Sequence, residues 1–131
     1  MENSLVIQNN AQQMYTSLQI DNPADKVKLY NVMNNPDERL ADKINEVISI
    51  KDIFVEWVDC TNQETGEVTK APRCILIDVD GKSFACTSIG IFSALQKLCF
   101  VFGEPTWEDG LPIKVIQVTK GKRKMLTLQI V

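Results

Sequence analysis

The last 21 residues, "LPIKVIQVTKGKRKMLTLQIV", hold five cations, Lys114, Lys120, Lys122, Arg123 and Lys124, and no acid. Residues 1–110 hold 9 Lys and Arg against 17 Asp and Glu. A chain of formal net charge -3 thus gathers positive charge in one short segment. Local potential, rather than net charge, decides where a polyanion docks. One or two lysines beside an alternating run would read as protection of a sheet edge; five without an acid point to an anionic partner. Gripping a single nucleic-acid strand asks for a second ingredient, aromatic faces on which bases stack whatever their identity. Tyr30 shares the polar parity of "DKVKLYNVMN" with Lys26 and Lys28, and Trp57 shares the parity of Lys51 in "INEVISIKDIFVEWV". The expected nucleic-acid-binding residues are therefore Lys28, Tyr30, Lys51, Trp57, Lys114, Lys120, Lys122, Arg123 and Lys124. The cations would neutralise phosphates and the two aromatics stack bases. Phe54, Phe92, Phe100 and Phe102 are assigned to the core.

Catalytic chemistry finds little support. With no histidine in the chain, Ser/His and Cys/His pairs are excluded. Cys60, Cys74, Cys86 and Cys99 stand 12 to 14 residues apart without a CxxC pair, the wrong spacing for a zinc site. Asp78 and Asp80 in "DVDGK" suggest a metal, but an EF-hand loop needs further oxygen ligands, and "DGKSFACTSI" has no acid after its first residue. The Asp80-Gly81 dipeptide instead suits a two-residue type I′ hairpin turn. A small metal-dependent nuclease built on Asp78, Asp80 and Lys82 is the weaker rival. No P-loop or dinucleotide fingerprint is present, so the expectation is a protein that is not an enzyme and takes no cofactor.

At 131 residues the chain suffices for one domain with a real core. The start "MENSLVIQNN" lacks a basic region followed by an apolar stretch, so no signal peptide is expected. The longest apolar run, around "LCFVF", is far too short to span a bilayer. A cytoplasmic protein with reduced thiols and no membrane partner follows.

The elements that must position these residues are mostly strands. Residues 1–23, with eight Asn and Gln, read as a flexible arm carrying at most one short strand, and residues 24–131 as the folded domain. "DKVKLYNVMN" reads as a strand with one wet face. Ile44–Val58 reads as a long strand whose parity breaks at Lys51-Asp52, where a bulge or bend would repair it. "PRCILIDV" and "SFACT" form a hairpin about the Asp-Gly turn. In "TSIGIFSALQKLCFVFG", Phe92, Leu95, Cys99 and Phe102 recur at helical spacing, with Thr87 or Ser88 as N-cap and Gly103 before Pro105 as the stop. "IKVIQVTK" and "KMLTLQIV" close the chain as a hairpin about Gly121, with Leu126, Leu128 and Ile130 facing the core. A mainly β chain with one helix between the third and fourth of five strands is the order of an OB-fold barrel. In that fold the loop between the last two strands lines the oligonucleotide groove.

"KLYN" early in the chain, "DGKSF" before the helix and the closing "IKVIQVTKGKRKMLTLQIV" carry a resemblance across most of residues 25–131. The chain resembles the small single-stranded DNA-binding proteins of phages that replicate by protein priming, and similar phage and conjugative-plasmid proteins. That resemblance implies an OB-fold that coats displaced single strands during replication, without catalysis or cofactor, in the bacterial host cytoplasm. Tyr30 stands where the family has the aromatic of a "KLFN"-like motif, and the basic hairpin matches its closing strands. Single-stranded DNA is the implied partner, with self-association along the strand as a second. Two departures stand out: the strongly acidic first 110 residues, and a chain that ends in a strand rather than in an acidic recruiting tail. The rival from another class is a protein-interaction module of a replication or host-takeover complex, its basic hairpin serving as a docking tip.

Overall fold

The run from Val47 to Thr61 is rich in Ile, Val, Phe and Trp, residues that suit a pleated, half-buried surface, and it sets the framework. The computed structural model describes residues 14–17 and 22–131. In chain order its elements are β1 (Met14–Thr16), α1 (Pro23–Asn34), β2 (Glu38–Arg39), a 3-10 turn (Leu40–Lys43), β3 (Val47–Thr61), β4 (Val68–Asp78), β5 (Ser83–Thr87), α2 (Ile89–Phe102), β6 (Leu111–Lys120) and β7 (Arg123–Ile130). The strands form one curled, half-barrel sheet in the order β2-β5-β4-β3-β6-β7, with β1 added on β3. Every pairing is antiparallel except the two-residue β2–β5 pair. Among the described residues no helix is long and apolar enough to cross a membrane.

The irregularity expected at Lys51-Asp52 is present: the β3–β4 register shifts between Ile50 and Asp52. One extra residue exchanges the two faces of a strand. Ile48 and Ile50 before the shift therefore join Ile53 and Val55 after it in the main core, while Phe54 turns to the opposite face. The bulge also lets one strand serve several partners. Val47–Ile50 pair with β6, Phe54–Glu56 pair with β1, and β4 runs along the other edge.

Helix α2 closes the main core. Ser88 Oγ accepts the N–H of Ile91 at 3.1 Å, and Gly103 caps the other end. Ile91, Phe92, Leu95, Leu98 and Cys99 form its buried stripe. The assignment of Phe54 and Phe92 to the core holds, but Phe100 is 78% exposed and Phe102 48%. A helix turns about 100° per residue, so Phe100, one step past Cys99, is carried out of the stripe. Phe102 is the last helical residue, and only half its ring is covered.

Three expectations about the elements need correction. The segment 25–34 is helix α1 rather than a strand. Asn22 Oδ1 accepts the N–H of Asp25 at 2.9 Å and Pro23 opens the first turn, both helix-start chemistry. Leu29, Val32 and Met33 then pack at helical spacing on Phe54, Ile75, Ile77 and Ala85, forming a second, smaller core on the outer face of the sheet. The described residues also hold seven strands and two helices rather than five strands and one helix. The β4–β5 connection is wider than the expected two-residue turn. Asp78 pairs with Lys82 through N–H to O at 2.9 Å, leaving three loop residues, and Gly81 sits at φ +88 where a side chain would be strained. Asp78 Oδ1 accepts the N–H groups of both Asp80 and Lys82, so the turn itself engages that carboxylate.

Most of the expected arm, 1–13 and 18–21, lies outside the described residues. Of the remainder, Met14–Thr16 pair with β3 and Tyr15 is buried. The Tyr15 hydroxyl donates to Glu104 Oε1 at 2.7 Å, and Ser17 and Thr106 donate to the buried Asp52 carboxylate. Burial, then the Glu104 carboxylate, raises the Tyr15 pKa far above its ordinary value, and the same two causes push Cys99 up to about 12. Both groups therefore ionise more easily unfolded than folded. Their contribution is whole below the ordinary thiol value of 9.0 and is lost as pH rises towards 12. The urea midpoint should fall across that window, and less steeply in Tyr15→Phe; a flat midpoint would contradict the burial of these groups.

Candidate nucleic-acid interface

The strands β5 and β7 share no ladder, and across the gap between them lies a cleft of about 660 Å³. Ala85, Cys86 and Thr87 of β5 form one wall and Arg123, Lys124, Met125 and Leu126 of β7 the other. Arg39 of β2 reaches the rim because its pairing with Ala85 places it there. Ser88, Ile89 and Gly90, the start of α2, form the end wall. A Cβ on Gly90 would lie 2.3 Å from the carbonyl oxygen of Leu126, so only glycine lets α2 begin directly against β7. Among the described residues lining the cleft there are three cations and no acid. The first turn of α2 carries no acid either, so the positive end of the helix dipole adds to the same field.

The ion pairs lie away from the cleft lining. Among the described residues, Lys43 and Lys82 pair with Glu38 at 2.7 and 2.6 Å, Lys70 with Asp59 at 2.7 Å and Arg73 with Glu56 at 3.0 Å. In these pairs four cations of the body hold three of its acids. Glu38, between two ammonium groups, is held below the usual carboxylate range by its hydrogen bonds to Lys43 and then Lys82. Arg39, Arg123 and Lys124 take part in none of these pairs.

The nine expected residues do not form a single cluster. Lys120, Lys122, Arg123 and Lys124 do gather at one hairpin end, with Lys120 opposite Arg123 and Thr119 opposite Lys124. Directly opposed residues share a sheet face, so Lys120 and Arg123 lie on one face and Lys124 on the other. Lys114 is not with them: it sits opposite Val47 and Gln129, six residues and about 20 Å along β6. Lys51 stands at the bulge, where its carbonyl accepts the N–H of Trp107 at 2.9 Å. Lys28 and Tyr30 ride on α1, where a two-residue step places them on different sides. Lys28 reaches towards Gly81, while Tyr30, 64% exposed, keeps Lys26 as its neighbour at i−4.

Trp57 lies on the inner face of β3 with its ring edge-on to Phe92, centroids 5.1 Å apart and planes at 75°. Its buried indole N–H finds no acceptor among the described residues. Because an unmet buried donor costs free energy, Trp57→Phe should change stability by less than about 1 kcal/mol despite the smaller ring. A loss above about 2 kcal/mol in urea titration would show that the indole N–H has a partner.

Sequence reasoning missed Arg39, Cys86 and Gly90. Arg39 follows a loop and enters through a two-residue strand, too short to leave a periodic signal. Gly90 was legible only as a glycine inside a helical pattern, which usually marks close packing.

No curated protein and no solved structure matches the chain. The model of the Phi29 phage family, described as phage single-stranded DNA-binding protein, matches residues 8–131, nearly the whole chain. The chain belongs to the Phi29-type family of phage single-stranded DNA-binding proteins.

Proposed function

We propose that the protein coats displaced single strands without regard to base sequence, and that the strand's phosphates enter the cleft between β5 and β7. The observation that carries this reading is the lining itself: Arg39, Arg123 and Lys124, with no acid among the described lining residues, in a chain of net charge -3. Contacts of this kind position a strand but read no bases. The five longer strands, β3 to β7 with α2 after the third, support an OB-type barrel opened between β5 and β7. In that reading α1 covers β4 and β5, the second and third barrel strands, whose outer face commonly takes oligonucleotides. The open seam is then the available path. Lys120 and Lys122 at the neighbouring turn extend the field, and Tyr30 with Lys26 offers an outlying contact on α1. The work is done in the host cytoplasm without catalysis or cofactor, with neighbouring copies meeting along the strand.

The test is fluorescence polarisation of a labelled oligo(dT) against a duplex of equal length at two salt concentrations. Single-strand preference is expected, with log K falling against log salt by about 0.7 for each phosphate neutralised. Equal affinity for duplex, or no binding at low salt, would overturn the reading. The basic hairpin would then be the docking tip of a protein-interaction module.

A further inference from the structure

The cleft does not end at Met125. Ile89, Gly90 and Met125 are shared with a second groove of about 800 Å³, which runs between α2 and the β6–β7 hairpin towards the end of the helix. Its chemistry changes along the way. The cleft is rimmed by three cations, whereas the groove has an apolar lining that includes Leu98, Val101, Val118 and Leu128. Its cations are Lys97 and Lys120, and no acid occurs among its described lining residues. One aromatic side chain lines it, Phe102, half exposed at the last position of α2. Phe100, two residues earlier, lies outside this groove.

A groove with an apolar lining, one open aromatic ring and cations without acids matches the two parts of a single nucleic-acid strand at once. Bases have apolar faces that stack on an aromatic ring, while phosphates stay at a cationic edge. Resting on the single-strand reading above, we infer that the DNA continues from the cleft into this groove and stacks a base on Phe102, with Lys97 and Lys120 holding the flanking phosphates. Two observations favour DNA over another occupant: the groove is continuous with the cleft, and its charge has one sign. The stacking surface is thus the end of a helix rather than Trp57, whose ring is engaged with Phe92.

The experiment compares wild type, Phe102→Ala, Phe102→Leu and Phe100→Ala by polarisation on oligo(dT) and on an abasic oligonucleotide of equal length. Phe102→Ala is expected to weaken oligo(dT) binding about tenfold, within the range for one stacked base, and to leave abasic binding and the salt slope unchanged. Phe102→Leu, which keeps an apolar side chain but loses the ring, should behave like Phe102→Ala. Phe100→Ala should match wild type on both ligands. Lys97→Gln should instead lower the salt slope by about 0.7. Wild type and Phe102→Ala binding oligo(dT) alike would overturn the inference while leaving the single-strand reading intact. So would Phe102→Leu retaining full affinity, or Phe102→Ala altering sedimentation mass rather than DNA binding, which would make the groove a contact between copies. Wild type binding neither oligonucleotide would remove the single-strand reading and this inference with it.

Discussion

Changing Arg39, Arg123 and Lys124 together to Ser is expected to weaken oligo(dT) binding about 100-fold at 0.1 M salt. A single strand gains about 0.7 in the slope of log K against log salt for each neutralised phosphate. Three such contacts contribute about 2 to that slope, which amounts to about 100-fold on passing from 1 M to 0.1 M salt. The variant should therefore lose affinity mostly at low salt, and its salt dependence should flatten by about 2. A matched control removes the same charge elsewhere. Lys28, Lys51 and Lys114 line neither the cleft nor the groove that continues it, so changing all three to Ser should cost less than about threefold through the general field. Equal losses in the two triple variants would mean that net charge, and not the cleft, governs binding.

The largest expected effect on stability is that of Phe54→Ala. Phe54 is 1% exposed and faces the small outer core, where Ile75, Ile77 and Val32 surround it. Truncating a buried phenylalanine costs about 3–5 kcal/mol, through lost transfer free energy and the cavity left behind. Set against a typical domain stability of about 5–15 kcal/mol, that is a large fraction, and the melting temperature should fall by about 10 °C or more. Helix α1 rests on this core through only Leu29, Val32 and Met33, so its amides should lose protection from hydrogen exchange before those of β3. Tyr30→Ala, on the exposed side of the same helix, should stay within about 0.5 kcal/mol of wild type. A Phe54→Ala protein as stable as wild type would contradict the placement of α1 on the sheet.

Legibility from sequence followed how local each signal was. Helix α2 was readable because its cap at Ser88, its stop at Gly103 and the stripe of Phe92, Leu95 and Cys99 all lie within one short segment. The Lys51-Asp52 irregularity was readable because a bulge must exchange the parity of apolar residues, and Ile50 and Ile53 record that exchange. Helix α1 is hard to tell from a strand by periodicity: over ten residues the alternation of Val27, Leu29 and Met33 imitates a strand, while Asn22, Pro23 and Asp25 hold the stronger start signal. Phe100 looks like a core residue in an apolar helix, but one step past Cys99 turns it to the exposed side. Five cations in 21 residues announced the hairpin. The cleft needs Arg39 from far upstream, and no local pattern ties β2 to β5 or brings β5 to face β7. Lys114 was grouped with the hairpin turn by sequence proximity, although six residues of strand separate them.

The most direct test of the cleft uses a thiol already in its wall. Cys86 lines the cleft and is half-buried, Cys60 is half-buried and lines neither the cleft nor its continuation, and Cys74 and Cys99 are buried. Alkylation by N-ethylmaleimide, followed residue by residue by mass spectrometry, should be slowed several-fold at Cys86 when oligo(dT) saturates the protein. At Cys60 the rate should stay unchanged. Cys86 reacting equally fast in the free protein and in a fully bound complex would contradict the account, because the strand would then lie somewhere other than between β5 and β7.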